Sequence, residues 1–158
     1  MIFVIKGNLF NEVPVSGSVE PIIIAHGCNA QGKMRSGFAK VVRDLNEGVF
    51  NAYIQSGHQL GSVSYFELYP NVFVANCVTQ EFYGYDGIKY TSYDAVDSCF
   101  KKLNDFIKEL LPITGAKRAQ LMFPKIGAVL GGGNLEVINK IIDVNVQDEL
   151  ASKVQFVI

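Results

Sequence analysis

Short apolar runs alternate with longer amphipathic stretches along the chain. "MIFVI" (1–5) and "PIIIAH" (21–26) read as strands. The second is apolar on both faces, as a central strand of a covered sheet should be. "GFAKVVRDLN" (37–46) has helical spacing, with Phe38, Val41, Val42 and Leu45 on one face. "SVSYFELY" (62–69) and "NVFVANC" (71–77) flank Pro70-Asn71 and predict an antiparallel pair with a tight turn. "TSYDAVDSCFKKLNDFIKELL" (91–111) is the clearest helix. Thr91 or Ser92 can cap it, Ala95, Val96, Cys99, Leu103, Phe106, Ile107, Leu110 and Leu111 form its stripe, and Pro112 is expected to stop it. "AQLMF" (119–123) predicts a strand, "PKIGAVLGGG" (124–133) a loop, "NLEVINKIIDVNVQDELA" (134–151) a helix capped by Asn134, and "VQFVI" (154–158) a last strand.

The order of elements predicts one α/β domain over residues 1–158, with a mixed sheet and helices on both faces. Sheets of this kind bind ligands at the carboxyl ends of their strands. Two glycine-rich loops are expected there, residues 27–37 and 127–133, each feeding a helix. They offer backbone N–H groups and helix N-termini to an anion.

The first loop raises a specific question. From Gly27 through Gly32 to Lys33 it reads G-x-x-x-x-G-K, close to the phosphate-cradling P-loop. The position that should supply a Ser or Thr for Mg²⁺ is Met34, and the helical pattern begins only near Gly37. The candidate strand ends Asn76, Cys77 and Phe123 include no acid for the metal. The pattern therefore argues against a P-loop hydrolase.

Charge and composition narrow the classes further. The net charge is −1 with no long basic run, which argues against a nucleic-acid backbone binder. No apolar run approaches the roughly 20 residues of a membrane helix. Cys28, Cys77 and Cys99 are odd in number and widely spaced, which reads as reduced thiols in a cytoplasm. His26 and His58 are the only histidines, and no spacing suggests a metal site.

With both loops in view the chain resembles the macro domains, the ADP-ribose-binding fold of three α/β/α layers around a mixed sheet. The likeness rests on "IKGNLF" (5–10), "AHGCNAQGKMRSGFAKVV" (25–42) and "FPKIGAVLGGGNLEVINKII" (123–142). Within that family it resembles the branch of ADP-ribose-1″-phosphate phosphatases and the terminal ADP-ribose glycohydrolase. The glycohydrolase lysine and aspartate align with Gln80 or Glu81 and with Gly131, so the amine of a lysyl route is missing.

The resemblance implies metal-independent hydrolysis of ADP-ribose-1″-phosphate to ADP-ribose and inorganic phosphate, without a cofactor, by a cytoplasmic monomer. For a virus-encoded chain that means the host cytoplasm. The alternatives are a non-catalytic ADP-ribose reader and an ADP-ribosyl ester hydrolase or deacylase. The resemblance puts Asn8 near the adenine, where most members carry an aspartate. It puts Gly127, Val129, Leu130, Gly131, Gly132 and Gly133 around the pyrophosphate. Gly27, Asn29, Lys33, Arg35, Ser36 and Gly37 fall around the distal ribose and its phosphate. The resemblance makes Asn29 and His26 the catalytic candidates: Asn29 would face the ribose hydroxyls, and His26 would act as general acid or base. The plain alternative for His26 is a buried strand residue satisfied by hydrogen bonds; for Lys33 and Arg35 it is a solvated loop. Tyr83, with Phe82 and Tyr90, could stack on a base or fold onto the core. Cys28 shares a strand face with His26 but fits a buried small residue better than a nucleophile. Asp86 reads as a turn residue and His58 as an exposed loop residue.

Overall fold

A computed structural model describes residues 1–82, 90–126 and 132–157. Six strands form one sheet: β1 (Ile2–Lys6), β2 (Ile22–Asn29), β3 (Val63–Tyr69), β4 (Val72–Gln80), β5 (Ala119–Phe123) and β6 (Ala151–Val157). Their order is β1-β6-β5-β2-β4-β3. All neighbours run parallel except β3 and β4, the predicted antiparallel pair. Asn71 makes the turn between them at φ 62°, a conformation asparagine tolerates well.

Among the described residues four helices cover the sheet: α1 (Gly37–Leu45), α2 (Glu47–Gln55), α3 (Tyr93–Thr114) and α4 (Leu135–Asn145). Strand alternation divides the apolar residues between two layers. Ile23, Ala25, Ala75, Cys77, Leu121 and Phe123 face α3 and α4, packing with Val96, Phe100, Leu103, Ile107, Ile138 and Ile142. Ile22, Ile24, Cys28, Val72, Val74 and Val78 face α1 and α2, with Val42, Val49 and Tyr53. The three-layer α/β/α arrangement is therefore present. No helix among the described residues is long and apolar enough to cross a membrane.

Several boundaries differ from the sequence expectation. β2 continues three residues past His26, to Asn29, because its ladder with β4 persists that far. α2 was not anticipated. Asn46 ends α1 and begins α2, its side chain accepting from Gly48 N at 2.9 Å. A 3-10 turn at Leu9–Glu12 follows β1, capped by Asn8. Pro112 does not stop α3, which runs to Thr114 and ends at Gly115 with φ 74°. Pro112 forgoes one backbone bond in the last turn, while Gly115 N still closes on Leu111 O at 2.9 Å. α4 ends at Asn145, not 151. Val146 takes an extended conformation and is buried, and Gln147 N is held by Asn104 Oδ1 at 3.1 Å.

Candidate functional site: the crevice between β2 and β5

β2 and β5 are parallel neighbours, yet their following connections part. The chain leaving β2 goes to α1 on one face of the sheet, and the chain leaving β5 goes to α4 on the other. Divergence of this kind opens a crevice at the carboxyl ends of the two strands, the usual ligand position in open α/β sheets. The first glycine-rich segment follows β2 there, as its sequence position anticipates. Of the second, Gly127, Val129, Leu130 and Gly131 lie outside the described residues, as does Tyr83.

The first loop holds itself together by internal hydrogen bonds. Ala30 N donates to Gln80 O at 2.9 Å. Gln31 N donates to Asn29 Oδ1 at 2.9 Å, Gly32 N to the Tyr53 hydroxyl at 3.0 Å, and Lys33 N to Asn29 Oδ1 at 3.4 Å. Four successive amides are thus bound to protein acceptors. A P-loop needs such amides aimed at a phosphate. The G-x-x-x-x-G-K stretch is therefore a self-anchored turn. Gly32 sits at φ 76° and Gly37 at φ 61°, where a side chain would be strained.

Two side chains organise this turn. Asn29 Nδ2 donates to Lys33 O at 3.0 Å, while its Oδ1 accepts from Gln31, Lys33 and the Tyr53 hydroxyl. Most of its hydrogen-bonding capacity is thus used inside the loop. Tyr53, from the unanticipated α2, donates to the Asn29 carbonyl and accepts from Gly32. Burial holds its hydroxyl above the usual phenol range, so it stays neutral. His58 packs on Tyr53, ring centroids 5.4 Å apart, and its Nδ1 lies 3.0 Å from Ala30 O. It is half-buried, not the exposed loop residue expected.

His26 lies deeper than the strand end at which the sequence places it. Because β2 extends to Asn29, His26 lies within the sheet, facing α1 and α2, with no solvent exposure. Its Nε2 is 2.6 Å from Asn76 Oδ1. Asn76 Nδ2 donates to Val49 O and Ser64 Oγ, both at 3.1 Å, so Asn76 presents its oxygen and His26 Nε2 carries the hydrogen. Phe38 packs on the imidazole at 5.6 Å. Burial pushes the His26 pKa down to about 4, against a smaller upward pull from the Asn76 bond. The neutral imidazole thus faces the α1–α2 layer without solvent contact. Cys28 lies beside it, Sγ 3.8 Å from Nε2, and burial raises its thiol well above the usual range, which makes it unreactive.

The groups left facing the crevice are fewer. Arg35 and Ser36 are exposed and Lys33 is half-buried. Among the described residues no carboxylate forms an ion pair with Lys33 or Arg35. Ser36 is the N-cap of α1, but its side chain makes no capping bond, so the first amides of α1 have no acceptor in the cap residue. At α4, by contrast, Asn134 Oδ1 accepts from Glu136 N and Val137 N, with Gly132 and Gly133 just before it. Asn8, exposed at the end of β1, uses its side-chain oxygen on Phe10 N at 3.0 Å. Gly27 belongs to β2 itself.

No family model matches the chain. It is 30% identical over 125 residues to a 17.5 kDa protein of the tk-vs intergenic region of Enterobacteria phage T4, covering 76% of this chain and 77% of that one. Among solved structures, a protein of unknown function from Bacteroides thetaiotaomicron superposes with a TM-score of 0.78 at 26% identity, over 99% of this chain and 98% of the other. A macrodomain protein from Streptomyces coelicolor gives 0.75 at 22% identity, over 100% and 99%. Thermosipho africanus DarTG in complex with ADP-ribose gives 0.61 at 14% identity, over 86% of this chain and 38% of that one. The chain thus belongs to one family with the phage T4 protein, and its fold is that of the macro domains.

Proposed function

We propose that the protein binds ADP-ribose, and ADP-ribose carrying a phosphate on the terminal ribose, in the crevice between β2 and β5. The observation that carries this reading is the divergence of the β2 and β5 connections to opposite faces, with an uncapped α1 N-terminus at the mouth. The amides at the start of α1, beside Arg35 and Lys33, which form no ion pair among the described residues, suit a phosphate. The DarTG structure with ADP-ribose is a protein of the same fold holding that ligand.

The finer form of the reading is hydrolysis of ADP-ribose-1″-phosphate. Water attacks phosphorus, the P–O bond to the ribose breaks, and the ribose oxygen leaves with a proton. Arg35 and Lys33 would offset charge on the phosphoryl oxygens. His26 takes no direct part. The burial of that histidine favours a second reading, a binding module without chemistry.

Calorimetry with ADP-ribose and ADP-ribose-1″-phosphate, followed by a phosphate-release assay, separates the two. Binding of both ligands is expected. Arg35→Ala should weaken the phosphorylated ligand about tenfold more than ADP-ribose, roughly one charge-assisted hydrogen bond. Phosphate release by the parent and by folded His26→Gln supports hydrolysis without this imidazole. Binding without release assigns the reader role. Failure to bind either ligand overturns the proposal.

A further inference from the structure

The edge strand β1 is unlike the other strands. Phe3 is 54% exposed, Val4 59% and Ile5 46%, so a run of large apolar residues faces water on both sides of the sheet. Its one neighbour is β6, and its other edge carries no strand among the described residues. An uncovered apolar edge strand is a template for pairing, and natural proteins usually blunt such edges with charge, proline or a bulge. Here the apolar stretch Ile2 to Ile5 has none of these, and the first lysine is Lys6.

The backbone fixes which groups are available. Gly7 N donates to Val157 O at 2.8 Å, continuing the β1–β6 ladder. On a ladder, residues of one parity face the partner strand. Gly7, Ile5 and Phe3 therefore turn their N–H and C=O groups to β6. Ile2, Val4 and Lys6 present theirs outward.

We infer that β1 pairs antiparallel with β1 of a second copy, about a two-fold axis at Val4, to make one sheet continuous across two chains. That register brings together Ile2 with Lys6 of the second copy and Val4 with Val4 of the second copy. All of these are residues whose backbone groups point outward, so each pair exchanges both hydrogen bonds. The intervening pair is Phe3 with Ile5 of the second copy. An aromatic opposite a β-branched residue is a favourable cross-strand pair, and the non-hydrogen-bonded position brings it close. Phe3 and Ile5 lie over Val154 and Phe156 of β6, which extends that apolar surface inward.

Charge favours the antiparallel sense. A parallel pairing would set Lys6 beside Lys6. The antiparallel one carries each lysine to the opposite end of its partner's strand. There Asp143 and Asp148 gather around Lys153, the register partner of Ile2, at 2.8 and 3.0 Å, and share the Met1 ammonium as well. Both carboxylates are partly exposed. Ile2 and Lys153 share the face to which Lys6 would bring its ammonium. The surface is self-complementary, as a two-fold interface must be.

Sedimentation velocity over a concentration series tests this with the full chain. The parent should move from 17.4 kDa toward twice that mass as concentration rises. Val4→Lys and Val4→Glu each place like charges on the two-fold axis and should stay at the single-chain mass. Both should melt like the parent when dilute, because Val4 is exposed in the single chain. An equimolar mixture of the two variants should regain the dimer, since Lys then faces Glu. A parent that stays at single-chain mass to millimolar concentration overturns the inference. So does dimerisation of either variant alone to the parent's extent. A dimer lost in both variants but not restored in the mixture overturns the register.

Discussion

His26 and Asn76 are register partners on adjacent strands, and their side chains meet at 2.6 Å in a pocket closed to solvent. The pair stands at the centre of a buried polar network reaching Val49 and Ser64. Such networks stabilise only when every member is satisfied. The neutral imidazole satisfies Asn76, while an imidazolium would carry a buried charge with no carboxylate beside it among the described residues.

That arrangement predicts a specific pH dependence of stability. The folded pKa of His26 is about 4 against 6.5 for the free side chain, so the native state binds fewer protons than the unfolded state between those values. Stability is then lost as pH falls from about 6.5 to about 4, by roughly 3 kcal/mol in all. Urea midpoints of the parent should fall across that window. His26→Gln should flatten the slope, at a cost of about 1–3 kcal/mol at neutral pH from the disturbed Asn76 network. The same slope in the variant would show that another group titrates there.

The misplacement of His26 from sequence has a plain physical cause. The apolar run "PIIIAH" ends at residue 26, and glycine, cysteine and asparagine then look like the start of a loop. The ladder with β4 nevertheless carries β2 on to Asn29, so a residue expected at the mouth lies inside. The layers, the antiparallel β3–β4 pair and the position of the first glycine-rich loop were legible because long periodic segments set them. α2 was not, since Gly48 interrupts its pattern. Its signal was present in the Asn46 cap and in Val49 and Tyr53, spaced four apart and both fully buried. The internal bonds of the 29–33 turn depend on Tyr53, which is distant in sequence, and no local pattern reveals them.

Tyr53 is accordingly predicted to be a positioning residue for the crevice. Its hydroxyl bridges the Asn29 carbonyl and the Gly32 amide. Tyr53→Phe keeps the ring among its apolar neighbours and removes only that bridge. Leaving those backbone groups without the bridge should lower stability by about 1–3 kcal/mol. A loosened 29–33 turn should also weaken ADP-ribose about tenfold, near 1.4 kcal/mol. Hydrogen exchange at Gly32 should accelerate beyond the change in global stability. Unchanged ADP-ribose affinity in a folded Tyr53→Phe protein would separate the turn from the ligand.

Lys153 gives the last prediction, at the opposite end of the sheet. It is fully buried, yet its ammonium donates to the carbonyls of Asp143 and Val146 and pairs with both Asp143 and Asp148. Burial alone would lower its pKa; the bonds and charges of the two carboxylates more than offset that and raise it. The ammonium of Met1 shares the same carboxylates, and Asp148 is held down to about 2 by that amine first and by Lys153 second. A depressed carboxylate stabilises the fold above its unfolded pKa, here 3.8, and that contribution is lost as pH falls toward 2. This acid limb lies below the His26 window, so the two are separable. Lys153→Met should cost about 1–3 kcal/mol at neutral pH, because two backbone carbonyls lose their donor while the carboxylates remain hydrated. It should also reduce the further loss of stability between pH 4 and 2, leaving the part held by Met1. Denaturation midpoints of parent and variant at pH 7, 4 and 2.5 measure both effects. A variant as stable as the parent at neutral pH would mean that the buried ammonium contributes no net stability.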